Sequence, residues 1–272
     1  MGLVLGMQCV QDETFARAPD RAARLAELVA DSRWFYRFKL IDSAKEPGQP
    51  PPPRFKGVIP AAKLRSTALE VLSSPSVTRV YFGVSAKEVL DHADLTVATG
   101  RFPNASGSIQ SHTRMRMPPD VLPNEVAADW VDLQHEIVKT VGAIHGVILT
   151  GTNEDVVSAE IWLSLRIRNG QPMHPRPDEI RSYSYKQWLL GHQYVRRPRW
   201  GTYLKPAHVE AVGGRAKILE VVQPEITRDV GDLFYVQLTA KVTEATSDTA
   251  KRRYQAFAEL LAPITMPPAP PD

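Results

Sequence analysis

Three segments of the chain alternate apolar and polar residues, and this period of two limits the folds that the chain can adopt. The segments are Val77–Val84, Ser108–Met117 and Val156–Ile167. Successive side chains of a strand point to opposite faces of a sheet, so each segment predicts a strand with one buried face. Helical segments lie among the strands without a regular strand–helix–strand order. The sequence therefore predicts an α+β protein with mainly antiparallel sheets and packed helices.

Apolar residues at helical spacing predict the helices that cover these sheets. The four longer segments of this kind are Pro19–Asp31, Pro60–Leu72, Glu125–Ile144 and Asp248–Leu261. Asn124 precedes the third segment and is predicted to be its N-cap, because a short polar side chain can accept the first backbone N–H groups of a helix. A short helix is predicted over Pro206–Val212, ended by Gly213 and Gly214, with a further helical turn up to Val222.

Turn residues between apolar segments predict two hairpins. One pairs Asp94–Gly100 with Ser108–Met117, and the other pairs Glu225–Val230 with Leu233–Thr243. An aromatic-rich strand is predicted over Trp34–Ile41, and a short strand over Gly146–Thr150.

Proline-rich segments divide the chain into its predicted units. Ser43–Gly57 is predicted to be an exposed loop, since a run of prolines cannot pair in a sheet; a ligand for a proline-binding domain is the alternative. Asn169–Glu179 is a second loop or a linker between lobes. We therefore expect residues 1–262 to form one compact domain or two closely joined lobes, with a lobe boundary at 169–179. The tail, residues 263–272, is predicted to be disordered.

The charge and cysteine content limit the classes of function. A net charge of +3, from 33 basic and 30 acidic residues, is too small to indicate a nucleic-acid-binding protein by electrostatics alone. The single cysteine, Cys9, excludes an internal disulfide, and no segment approaches the roughly 18 apolar residues of a spanning helix. The beginning of the chain lacks the pattern of a signal peptide. These observations predict a cytoplasmic protein without membrane contact.

Motifs for catalysis and metal binding are absent from the sequence. The seven histidines show no spacing typical of metal ligands, and the residues of Asp91–Asp94 point apart on a turn. No nucleophile elbow or dinucleotide-binding glycine motif occurs, and Gly213 and Gly214 fit a helix end better than a phosphate site. Cys9 is predicted to be a buried small apolar residue. We expect no metal, no cofactor and no catalytic residue.

Four carboxylates lie at helical spacing in the segment predicted as the third helix. Glu125, Asp129, Asp132 and Glu136 form one continuous acidic line beside the apolar stripe. A paired-carboxylate catalytic site is conceivable, but a solvated helix face is the more frequent role of such a line.

The densest basic cluster is Arg196, Arg197 and Arg199 beside Trp200. Arginine next to an aromatic residue can hold single-stranded nucleic acid by ion pairing and base stacking, with His112, Arg114 and Arg116 as a second patch. The alternative is structural: the arginines and Trp200 would make contacts that order a loop. Three arginines are few for a surface that follows a phosphate backbone.

The segment Arg199–Gly214 resembles the C-terminal signature of a family of bacterial immunity proteins, catalogued as immunity family fifty-two of polymorphic toxin systems. The resemblance depends on a Trp-Gly-x-x-Leu-x-Pro core, a short helix with a His-Val pair and a Gly-Gly end. The matching residues here are Trp200, Gly201, Leu204, Pro206, Gly213 and Gly214. The order of the following helix, hairpin and final helix is also similar, over about Trp188–Ala262.

This resemblance implies a binding protein rather than an enzyme. Such proteins neutralise a cognate effector, for this family typically a nuclease toxin of restriction-endonuclease-like fold delivered by a type VI secretion system. The toxin would be encoded nearby, and direct nucleic-acid binding is not expected. The near-neutral charge disfavours mimicry of DNA by the whole surface. As a hypothesis, the toxin binds the acidic line Glu125, Asp129, Asp132 and Glu136, whose replacement by alanine or lysine would slow association. The competing hypotheses are a single-stranded nucleic-acid-binding module that uses Arg196–Trp200, and an enzyme of unrecognised type.

Overall fold

One antiparallel sheet of nine strands organises the part of the chain that the structure describes. The structure is a computed structural model, and it describes residues 3–11, 15, 17–34, 40–45, 59–74, 77–83, 93–98, 110–117, 122–152, 167–168, 171–172 and 194–265. The nine strands are β1 Leu3–Gln11, β2 Leu40–Lys45, β3 Val77–Gly83, β4 Ala93–Ala98, β5 Gln110–Met117, β6 Ala143–Gly151, β9 Gly201–Leu204, β10 Ile226–Val230 and β11 Leu233–Gln237. Their order in the sheet is β10-β11-β9-β6-β1-β5-β4-β3-β2, and every neighbouring pair is antiparallel.

A two-stranded ribbon of β7, Ile167–Arg168, and β8, Gln171–Pro172, is separate from this sheet. Six α-helices are described: α1 Pro19–Asp31, α2 Ala61–Ser73, α3 Pro123–Val141, α4 Pro206–Ala211, α5 Gly214–Val222 and α6 Asp248–Leu261. Two short 3-10 helices cover Val242–Glu244 and Ala262–Ile264. None of the described helices is long and apolar enough to cross a membrane.

The larger hydrophobic core lies between one face of the sheet and α1, α2 and α3. Leu5, Met7 and Cys9 of β1 alternate into this core, where Trp130 and Ile137 of α3 are fully buried. Burying side chains of this size stabilises the folded state by about 1.5–3 kcal/mol each. This core therefore holds α3 against the middle of the sheet.

A second core lies on the opposite face, over β9 and β11. Leu204, Phe234 and Val236 point into it, and the helices α4, α5 and α6 cover them with residues such as Ile218 and Phe257. Because alternate residues of β9 and β11 point into the two cores, both strands are buried on both faces. The C-terminal third is thereby fixed to the sheet from both sides.

The structure confirms the α+β class and most of the predicted elements. The helices at 19–31 and 248–261 have the predicted bounds, and the helix predicted at 60–72 lies one residue later. Both predicted hairpins form, β4 with β5 and β10 with β11. The short helix ends at Ala211, and Gly213 and Gly214 join it to α5 with positive φ, as predicted for a helix end.

The bounds predicted for the third helix are wrong at both ends. Leu122 is the N-cap of α3, whereas Asn124 lies inside its first turn and accepts hydrogen bonds from the backbone N–H and the hydroxyl of Thr243, at 3.4 and 3.1 Å. The helix ends at Val141 because Gly142 adopts a left-handed conformation with a φ of 63°. Ile144 consequently belongs to β6.

Three predicted boundaries are also corrected. β11 ends at Gln237 rather than at Thr243, because the Gln237 amide donates to the carbonyl of Thr239 at 2.8 Å and holds the chain in a turn. Residues 43–45 belong to β2, where pairing with β3 satisfies their backbone groups. The first residues of the proline-rich tail are ordered: Ala262–Ile264 is helical, and Thr265 pairs with Val195.

Other predictions fall wholly or partly outside the described residues. Of the strand predicted over 34–41, only Leu40 and Ile41 are described as a strand. Of the strand predicted over 156–167, the structure describes Ile167 alone. Most of the loops predicted over 43–57 and 169–179, and residues 266–272 of the tail, are likewise not described.

Candidate functional site

β9 forms the centre of the segment that carries the family resemblance. It lies between β6 and β11, with Gly201 opposite Ile148 and Gln237, and Tyr203 opposite Gly146 and Tyr235. A Cβ atom on Gly201 would lie 2.6 Å from the hydroxyl oxygen of Tyr235. A glycine is therefore required here because the buried Tyr235 ring crosses directly over the backbone.

Trp200 is part of the fold and presents little surface to solvent. It is 7% exposed, and its indole N–H donates to the Thr239 hydroxyl at 2.8 Å. That hydroxyl donates in turn to the carbonyl of Lys241 at 2.9 Å, so Trp200 fixes the chain that leaves β11. A buried indole cannot stack on a nucleic-acid base, and the nucleic-acid hypothesis loses its aromatic contact.

The arginine cluster is divided between structure and surface. The backbone N–H of Arg196 donates to His145 at 2.9 Å, and that of Arg199 donates to the Thr202 hydroxyl at 3.1 Å. The Arg199 guanidinium donates to the Tyr254 hydroxyl at 3.3 Å, which links this turn to α6. Arg197 is exposed, and no described residue forms an ion pair with it. The structural role predicted as the alternative fits Arg199 and Trp200, and leaves Arg197 accessible.

The second basic patch does not join the first. Arg114 and Arg116 are half-buried on β5, and the side chain of His112 lies outside the described part of the chain. β6 and β1 separate β5 from β9, so three strand spacings, about 14 Å, lie between the two clusters. Arg114 and Arg116 therefore form no continuous surface with the cluster at 196–199.

His145 is a buried connector between β6, β9 and the arginine turn. Its Nδ1 lies 2.7 Å from the carbonyl oxygen of Tyr203, and its Nε2 accepts the backbone N–H of Arg196 at 2.9 Å. These partners require a neutral ring with its proton on Nδ1. Burial, and then the nearby His208, lower the pKa of His145 from 6.5 to about 3, so the ring stays neutral at physiological pH.

A second buried cluster joins α3 to β9 and β11. His135 Nδ1 lies 2.9 Å from the Tyr203 hydroxyl, and its ring meets that of Tyr235 edge-on with centroids 4.6 Å apart. The Tyr235 hydroxyl donates to the Gln237 side chain at 2.7 Å. Burial, and then the Arg228 charge, lower the pKa of His135 to about 4. These groups are titratable, but their burial prevents contact with a dissolved substrate, and they serve to position the strands.

The acidic line lies on the exposed face of α3, but most of its charge is neutralised. Asp129 pairs with Arg33, Asp132 with Arg228 at 3.0 Å, and Glu136 with Lys139 at 2.5 Å. Glu125 is exposed and has no ion pair with a described residue. Exposed pairs contribute at most about 1 kcal/mol to stability, yet they weaken the negative potential on which the toxin-binding hypothesis depends.

A groove lies beside α6 among the described residues. It encloses about 1380 Å³ between the outer face of α6, the turn 197–200 and the end of β6. Its lining includes Leu149, Arg197, Trp200, Lys251, Tyr254 and Ala258. We call it the α6 groove.

Sequence reasoning did not find the α6 groove. Tyr254 is half-buried: it packs against the second core and also lines the groove. Lys251, Gln255, Ala258 and Glu259 line the groove as well, at three- and four-residue spacing. That polar stripe with a small central residue was the available signal. Among the described residues, no three histidine, cysteine or carboxylate side chains gather as a metal site would require.

Comparisons with known proteins find similarity among solved structures. No model of a protein family matches the chain, and no curated protein matches it. A solved structure, the Pseudomonas aeruginosa T6SS protein PA0821, has a similar fold with a TM-score of 0.60. The similarity covers 97% of this chain and 73% of that protein, at 12% sequence identity. The shared property at this identity is the fold, and the resemblance to the immunity family stays a prediction.

Proposed function

We propose that this protein is an immunity protein of a type VI secretion system, which binds and neutralises a cognate nuclease toxin in the producing cell. The partner is an effector of restriction-endonuclease-like fold encoded near the gene of this chain. Inhibition takes place by protein–protein contact in the cytoplasm, without a cofactor and without catalysis by this chain.

The observation that supports this proposal most is the fold similarity to a T6SS protein over 97% of the chain. The sequence resemblance at 199–214 points in the same direction and is an observation of a different kind, because it depends on residue identities and not on the fold. A fold can host several functions, so the assignment to an immunity role depends on the two observations together.

The structure of the signature segment is compatible with a binding protein. Tyr203 and Leu204 are fully buried, and Trp200 nearly so, so the residues that carry the resemblance fix β9 within two cores. A scaffold that is rigid before binding loses little conformational entropy on association, which favours tight binding. The toxin would then be bound by surfaces that this scaffold presents, and not by the signature residues themselves.

Co-expression with the neighbouring gene tests the proposal. The effector domain alone should arrest growth, and co-expression of this protein should restore it. The purified pair should elute as one complex, and the protein should abolish DNA cleavage by the effector at equimolar concentration. A mutant effector without nuclease activity separates binding from toxicity. Growth arrest that persists despite normal expression of this protein would refute the proposed function.

A further inference from the structure

We infer that the α6 groove is the docking surface for the toxin, and that it receives an acidic, partly apolar segment of that partner. This inference depends on the proposed function and adds to it the surface and the chemistry of the contact.

The dimensions of the groove suit a polypeptide segment. Its lining follows α6 from Ala250 to Glu259, which corresponds to about 14 Å of helix, and continues to Ala262 just beyond it. Its volume of about 1380 Å³ exceeds the roughly 300–1,000 Å³ of typical small-molecule pockets. Ala258 lies in the middle of this lining, and so small a side chain leaves room for a neighbouring chain to approach α6.

The charge of the groove selects an acidic partner. Arg197 is exposed on one side and has no ion pair with any described residue. Arg199 also lines the groove and donates to the Tyr254 hydroxyl at 3.3 Å. Lys251 pairs with Asp248, and Glu259 accepts a hydrogen bond from Gln255. A carboxylate of the partner can bind the Arg197 guanidinium through two parallel hydrogen bonds.

Apolar residues in and beside the groove favour a protein over a nucleic acid. Leu3, Leu149 and Val242 line it, and Leu122, next to the lining residue Pro123, is 66% exposed. Apolar surface rimmed by polar residues, as in this groove, is typical of a protein-binding surface. Single-stranded nucleic acid would instead need an exposed aromatic face, whereas the indole of Trp200 is buried and half-buried Tyr254 packs against the second core.

The acidic line on α3 is the competing surface. Three of its four carboxylates are already paired with basic residues of the same chain, so binding a basic surface there would break existing contacts. Arg197 would lose no ion pair with a described residue on binding a carboxylate. This difference favours the groove.

The test measures affinity for the nuclease-inactive effector encoded by the neighbouring gene. The groove variants are Arg197→Glu, which reverses the accessible charge, and Ala258→Trp, which fills the middle of the groove. Arg252→Glu is the matched control, because Arg252 is exposed on the same helix and lies outside the groove lining. Each groove variant should weaken binding at least tenfold, and the control should stay within twofold. The effect of Arg197→Glu should decrease at high salt, because screening weakens exposed charge contacts.

Three results would overturn the inference. The first is that both groove variants bind the effector with wild-type affinity. In that case the quadruple alanine variant of Glu125, Asp129, Asp132 and Glu136 tests whether the acidic line binds the effector instead. The second is binding of a labelled single-stranded oligonucleotide that Arg197→Glu abolishes. Third, a wild-type protein that does not bind the effector refutes the proposed function, and the docking surface with it. Thermal unfolding of each variant identifies a loss of binding caused by misfolding.

Discussion

Replacing Gly201 by alanine tests whether β9 is positioned by the close contact with Tyr235. The added Cβ would lie 2.6 Å from the Tyr235 hydroxyl oxygen, 2.9 Å from its Cε2 and 3.1 Å from the Cβ of Ile148. Tyr235 is fully buried, so its ring can move only by disturbing the core. Forcing extra volume into such a core costs about 1–3 kcal/mol.

Two further contributions determine the net change. A displaced ring loses the hydrogen bond from the Tyr235 hydroxyl to Gln237, which is worth about 1 kcal/mol. Alanine loses less backbone entropy than glycine when a strand forms, and this difference offsets about 0.5–1 kcal/mol of the lost stability. We therefore expect Gly201→Ala to lower the free energy of unfolding by about 1–3 kcal/mol. Without the steric contact, the same substitution would stabilise the protein.

Urea unfolding followed by tryptophan fluorescence measures this change, and an unchanged denaturant dependence indicates that the unfolded state is unaltered. Tyr235→Phe removes the closest atom, so the double variant should cost about 1 kcal/mol less than the sum of the single variants. An unfolding free energy of Gly201→Ala equal to or above that of the wild type would refute the reasoning. Strict additivity in the double variant would show that the hydroxyl is not the source of the cost.

Two other predictions concern protonation and helix capping. The pKa values of about 4 for His135 and about 3 for His145 lie below the ordinary 6.5, so the unfolded state binds more protons between pH 6.5 and 4. The free energy of unfolding should therefore fall between pH 7.5 and pH 5, by about 2 kcal/mol per histidine. Urea titrations at these two pH values measure the loss, and His135→Phe should remove about half of it. The Ser247 hydroxyl accepts the N–H of Ala250 at 3.1 Å and caps α6. Ser247→Ala should cost about 1 kcal/mol in thermal unfolding, Ser247→Asp should cost little, and equal costs would contradict the capping role.

Local sequence patterns predicted the secondary structure well where one pattern acted alone. The segment 248–261 has a capping serine, an acidic first turn and a regular apolar stripe, and the helix has the predicted bounds. The third helix was misplaced because Asn124 resembled an N-cap, whereas its side chain bonds to Thr243 more than a hundred residues away. Long-range contacts of this kind leave no signal in a local window.

The candidate surfaces depended on tertiary structure that the sequence does not display. The spacing of the acidic line was read correctly, but its partners Arg33 and Arg228 come from distant segments that fold beside α3. The α6 groove combines residues of α6 with residues near 150 and 200, which only the fold brings together. Trp200 was an ambiguous signal, because a buried and an exposed tryptophan have the same neighbours in sequence.

The position of β1 in the middle of the sheet has a consequence for synthesis of the protein. β1 is made before both of its partners, which are β5 at Gln110–Met117 and β6 at Ala143–Gly151. At translation rates of about 5–20 residues per second, β1 waits roughly 7 to 26 seconds for β6 to begin to emerge. The groove is completed later still, because α6 ends at Leu261. Both neighbours of β1 are distant from it in sequence, so the middle of the sheet depends on long-range pairing and is slow to form.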